Sequence, residues 1–162
     1  MPTVSQADPH ADTGVTDRHR PVLAESTGVD SLSVVTAAAV LYVKDLDLMR
    51  AFYEACFELS AVESTSEDFC VLSSKDWDLS LVAVSAAVAA TIVIADPPSR
   101  RAQTPVKLAF EVASIGGLRA AVTGGGGQID PVESGWEFRG HRHLDCLDPE
   151  GNVVQLRERV ST

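Results

Sequence analysis

An α+β fold in which one β-α-β-β-β unit is used twice is the architecture the sequence predicts, and three observations predict it. An apolar, β-leaning run, TAAAVLYV, leads into KDLDLMRAFYEACFEL, whose Leu48, Phe52, Ala55 and Leu59 recur at helical spacing. After a proline-rich loop the same order reopens with VKLAFEV and the helix-forming SIGGLRAAVTGGGG, roughly 68 residues further on. The 162 residues are 45% hydrophobic and 22% charged, the balance of an ordinary domain with a core to bury.

Each element follows from local chemistry. Asp45 stands where a helix N-cap is wanted, and Asp45 and Asp47 suit the positive end of the helix dipole. The short runs AVEST, DFCVLSS and DLSLVAV, separated by polar clusters, read as three strands. Leu81 to Ala95 is the most apolar stretch, too short to span a bilayer, and reads as buried structure. In the second unit Ser114 opens a helix that the run Gly124 to Gly127 closes, since glycine adopts C-cap geometry without cost. That run lacks the Lys-Ser/Thr of a phosphate loop. QIDPVES, WEFRGHRHLDCL and NVVQLRE complete the strands, the last two joined by a DPEGN turn.

Residues 1–33 contain Pro, Thr, Ser and Asp with no helical or strand period and read as a flexible tail. The domain is expected over 34–162, with modules at about 34–95 and 104–160. The formal charge is -10. Five acidic and two basic residues precede residue 34, so the remaining 18 acidic against 11 basic keep the folded part acidic. Neither nucleic acid nor an anionic membrane is expected as a partner. Cys56, Cys70 and Cys146 form no CxxC pair, and no secretory h-region is visible, which points to a reducing cytoplasm.

Two segments carry a family resemblance. VLYVKDLDLMRAFYEACFEL is similar to the opening strand and helix, and LDPEGNVVQLRE to the closing hairpin and strand, of the vicinal oxygen chelate superfamily of glyoxalases, extradiol dioxygenases and bleomycin-resistance proteins. The resemblance implies two βαβββ modules whose curled mixed sheets surround a shared cavity, with helices outside and frequent dimerisation. It also implies four inward places for divalent-metal ligands, on the first and fourth strands of each module. Here those places fall at Ala38, Ser80, Lys107 and Gln155. None is His, Asp or Glu, alanine offers no donor, and a lysine ammonium repels a cation, so no divalent metal and no other cofactor is expected.

Strand alternation places Val106, Leu108, Phe110 and Val112 on one face and Lys107, Ala109 and Glu111 on the other. His141, His143 and Asp145 likewise share a face, as do Val153, Gln155 and Arg157. The resemblance turns this polar face toward the cavity. The expected ligand-binding set is therefore Ala38, Ser80, Lys107, Glu111, Trp136, His141, His143, Asp145, Gln155 and Arg157, with Trp136 at the cavity mouth able to stack on a flat ligand. His141 and His143, at i and i+2, could chelate with Asp145, but one strand spreads such side chains by ~6 to 7 Å, so a convergent ligand would have to come from another strand. As catalysts, His143 or Asp145 would serve as general base and Lys107 would polarise a carbonyl; the plainer alternative pairs Lys107 with Glu111 along their strand. Phe52, Tyr53 and Phe57 read as core.

These readings favour a metal-free small-molecule-binding protein, drug-sequestering in type, whose acidic balance favours a cationic ligand. The alternative is a lyase, isomerase or dioxygenase of the same superfamily, with displaced metal ligands or cofactor-free acid/base chemistry. A homodimer is expected in either case.

Overall fold

The computed structural model describes residues 37–160 apart from 66 and 76. The chain divides after Val34, and the described residues belong to the second unit; the expected tail lies outside them.

The first module runs β1 (Ala37–Val43), α1 (Leu46–Phe57), β2 (Ser60–Ser64), β3 (Phe69–Ser73), β4 (Trp77–Ala83) and a short α2 (Ala86–Ala89). The second runs β5 (Leu108–Val112), α3 (Ile115–Gly124), β6 (Gln128–Ile129), β7 (Trp136–Phe138), β8 (His141–Leu147) and β9 (Val153–Arg159). Two mixed sheets result, ordered β1-β4-β3-β2 and β5-β9-β8-β6, with β7 pairing β8. In each, the opening strand lies parallel to the closing one, β1 beside β4 and β5 beside β9. The fold is α+β, and its four- and five-stranded sheets stay open. No helix among the described residues is long and apolar enough to cross a membrane.

The helix starts are as the sequence dictates. Asp45 accepts a hydrogen bond from the Leu48 amide at 2.9 Å, and Ser114 one from the Gly117 amide at 3.2 Å. The buried stripe of α1 is Met49, Phe52, Tyr53 and Cys56, whereas Leu48 and Ala55 are exposed. The buried stripe is rotated from the expected Leu48, Phe52, Ala55 and Leu59, and Leu59 lies beyond the helix. The helix in fact ends at Phe57, where Glu58 turns left-handed with φ 53°.

Three further departures have local causes. WEFRGHRHLDCL is a hairpin, β7 and β8, because Arg139 and Gly140 both take positive φ, 49° and 74°, as a two-residue turn matched to strand twist requires. QIDPVES stays extended only over Gln128–Ile129; Pro131 has no amide to donate and a 3-10 turn follows at Val132–Ser134. The apolar stretch 81–95 is not buried throughout: α2 buries no side chain and Val93 is 91% exposed. Val106, which alternation places on the face of Leu108, Phe110 and Val112, precedes β5 and is exposed.

One core joins the modules. Phe57 of α1 stacks on Phe110 of β5 with centroids 4.1 Å apart, and Trp77 of β4 meets the same ring edge-on. The DPEGN turn is pinned into this core. Asp148 is fully buried and accepts from the Tyr53 hydroxyl at 3.0 Å, while buried Glu150 accepts from the amides of Lys44 and Asp45 at the start of α1. At Gly151 φ is 84°, and an added Cβ would collide with the Ser99 carbonyl, so glycine is required there. The three cysteines are free, buried thiols.

Candidate functional site

Among the described residues, alternation turns one face of each sheet toward the helices and leaves the other free of them. On the second sheet the free face is organised in cross-strand rows. Glu111, Arg157, His143 and Trp136 are successive register partners across β5, β9, β8 and β7. One row beyond come Arg159, His141 and Phe138; one row back come Ala109, Gln155 and Asp145. Rows of this kind hold side chains close enough to pair.

His143 is the enclosed member, 6% exposed. Its Nε2 donates to the Phe138 carbonyl at 3.2 Å, and Nδ1 stands 3.4 Å from the Gln155 side-chain amide. The Trp136 indole lies flat over the imidazole, 5.3 Å between centroids and 12° between planes. His141 faces an acceptor at each ring nitrogen, the Arg139 carbonyl at 3.0 Å and the Glu111 carboxylate at 3.1 Å.

The charges are paired differently from the expected Lys107–Glu111 contact. Lys107 Nζ donates to both Asp145 oxygens, at 3.0 and 3.1 Å, and lies 5.6 Å from the Trp136 ring centroid. Arg100 bridges Asp145 and Asp130. Glu111 instead receives Arg157, Arg159 and His141. The hydrogen bond from Arg159 is the main reason its carboxyl lies below the ordinary range, with His141 adding to the effect and partial desolvation opposing it. Two cations therefore occupy the lone pairs that Asp145 would need as a general base.

An open pocket of about 430 Å³ is lined by Phe138, Arg139, His141, His143, Gln155 and Arg157. Four of these belong to the expected ligand set; Phe138 and Arg139 do not. Ala38 and Ser80 lie on the free face of the first sheet, outside this lining, and Lys107, Glu111, Trp136 and Asp145 flank it. Arg100 and Asp130 were also missing from the expected set. Arg100 sits in an aperiodic loop with no signal to find it, whereas Phe138 would have followed from reading Arg139-Gly140 as a turn, which puts it on the His141 face.

No family model matches the sequence, and no curated protein matches it significantly; solved structures do. A glyoxalase/bleomycin resistance protein/dioxygenase family enzyme from Burkholderia phytofirmans matches with a TM-score of 0.58 at 21% identity, over 76% of this chain and 97% of that one. A fosfomycin resistance protein from Listeria monocytogenes, complexed with Mn(II) and 1S,2S-dihydroxypropylphosphonic acid, matches at 0.57 and 16% identity, over 80% and 92%. A glyoxalase/bleomycin resistance protein from Albidiferax ferrireducens matches at 0.53 and 19%, over 78% and 99%. The chain has the vicinal oxygen chelate fold.

The metal places of that fold can be tested on this chain. β1 pairs Val40 with Ser80, β5 pairs Ala109 with Gln155, and Ala38 and Lys107 each stand seven residues before a helix cap, so the four residues are equivalent in pairs. A divalent cation does not fit them. Ala38 has no donor, Ser80 offers a neutral hydroxyl, Lys107 brings a positive charge and Gln155 faces His143. Among the described residues no three His, Cys, Asp or Glu side chains converge as ligands elsewhere.

Proposed function

We propose that the free face of the second sheet binds a small organic molecule without a divalent metal, in the manner of a non-catalytic, drug-sequestering member of this fold. The observation that carries this reading is Lys107, an ammonium engaged with Asp145 where the fold would place a metal ligand. The pocket around His143 and Gln155 offers what affinity alone requires: aromatic walls and a few aimed polar groups. A cytoplasmic location belongs to the same proposal, as does a homodimer, in which a second copy covers Val40 and Tyr42, 59% and 66% exposed on the free face of β1. Calorimetric titration of the full chain against small organic compounds, antibiotics included, in cationic, neutral and anionic classes tests it. Binding in the micromolar range by any class supports the proposal; no binding by any class overturns it.

A second reading, cofactor-free acid/base catalysis, rests on His143, the enclosed imidazole lining the pocket. It predicts that His143→Gln abolishes a turnover that the wild type shows on a bound compound.

A further inference from the structure

The pocket differs in sign from the chain that contains it. The whole sequence carries -10, yet the six side chains lining this pocket include Arg139, Arg157, His141 and His143 and no carboxylate. The acids nearby are already engaged: Glu111 by Arg157, Arg159 and His141, and Asp145 by Lys107 and Arg100. Five cationic side chains, Arg100, Lys107, Arg139, Arg157 and Arg159, thus stand around three acids, Glu111, Asp130 and Asp145, on or beside this face.

Two guanidiniums keep capacity to spare. Arg157 spends Nη2 on Glu111, while its Nε, buried, meets no acceptor among the described residues. Its Nη1 makes no hydrogen bond among the described residues and is not enclosed, so it is the group that an acceptor in the pocket can meet. Arg139 forms no ion pair among the described residues; its guanidinium lies 5.9 Å from the Phe138 ring centroid. Planar surfaces complete the site. Phe138 leaves 61% of its surface to solvent, and Trp136 already stacks on an imidazole beside it.

We infer that this pocket takes a planar aromatic carboxylate, its ring against Phe138 and its carboxylate on Arg157 and Arg139. The inference rests on the ligand-binding reading above and narrows it to one chemical class. A guanidinium fork matches the two oxygens of a carboxylate, and a flat ring matches the aromatic wall, whereas an organic cation would meet two arginines and two imidazoles. A volume of about 430 Å³ accommodates one or two fused rings.

The test is calorimetric titration of the full chain with 2-naphthoate, 2-naphthamide and 2-naphthylmethylamine, in low and high salt. The expected result is saturable naphthoate binding, at least about tenfold tighter than that of the amide, no saturation by the amine, and weakening as salt screens the carboxylate–arginine attraction. Arg139→Gln, at an exposed side chain and checked for folding by circular dichroism, should weaken naphthoate several-fold and the amide much less, so that the preference for the carboxylate shrinks. Arg157→Lys, checked for folding by circular dichroism, should weaken it about tenfold, because an ammonium cannot fork. Naphthoate and amide binding equally, or the amine binding best, overturns the anionic assignment while leaving the ligand-binding reading standing. No binding by these three or by any class of the broader panel overturns both.

Discussion

Asp148 shows how one residue of a turn motif can hold a fold. Its Oδ1 accepts from the amides of Glu150 and Asn152 at 3.0 and 2.8 Å, and its Oδ2 from the Tyr53 hydroxyl and the Asn152 amide group at 3.0 and 2.8 Å. Replacing it with alanine strands four donors at once, two of them buried and two on half-buried Asn152, and a loss of about 3 kcal/mol is expected in urea denaturation. Tyr53→Phe removes a single partner and should cost about 1 kcal/mol. Burial raises the carboxyl of Asp148 above its ordinary range, and the bonds it accepts only partly offset that rise. The folded state therefore binds the more protons between the unfolded and the folded pKa. Stability conferred by this group, full below about pH 4, is lost as pH rises through the folded value. Wild type minus Asp148→Asn, measured by denaturation across that range, should fall with rising pH and then level. The thiols make a simpler prediction. Burial pushes Cys56 up to about 11 and Cys146 further still, so Ellman's reagent at pH 8 should find no fast-reacting thiol in native protein and three after unfolding.

At the scale of elements, the β7–β8 hairpin decides whether the site exists. It brings Trp136 and Phe138 against His143, and it depends on the left-handed Arg139–Gly140 turn. Gly140→Ala should cost about 1 kcal/mol, since a Cβ disfavours φ of 74°, and should weaken ligand binding more than a comparable loss placed in the first module. Elements were also where the sequence was most and least readable. The two N-caps, the duplicated order and the polar alternation of β5, β8 and β9 were legible because each is a local pattern of two to four residues. The hairpin was hidden because Arg-Gly lacks the Asn or Asp that usually marks such a turn, leaving Gly140 as the one clue inside an apparent strand. The end of α1 was hidden because apolar spacing alone does not reveal the left-handed Glu58 that ends the helix before Leu59.

Across the whole molecule, the second module is fastened to the first through backbone donors that no periodicity records. Glu150 accepts from Lys44 and Asp45 at 2.6 and 2.9 Å, and Arg101 approaches its other oxygen at 3.9 Å. DPEGN was readable as a turn; that its acids reach α1 and the residues just before it depends on contacts 95 to 106 residues apart. Lys107 with Asp145 and Glu111 with Arg159 are likewise products of sheet order, which is why the strand-local pairing of Lys107 with Glu111 did not survive. The proposed homodimer predicts that Tyr42→Glu, on a side chain 66% exposed, yields a folded monomer in sedimentation where the wild type sediments as a dimer. Ligand recognition without a divalent metal is the central claim, and metal content tests it most directly. Protein purified without a histidine tag, incubated with nickel, zinc, manganese or iron(II) and desalted, should retain less than about a tenth of an equivalent per chain. Retention near one equivalent per chain would contradict the claim.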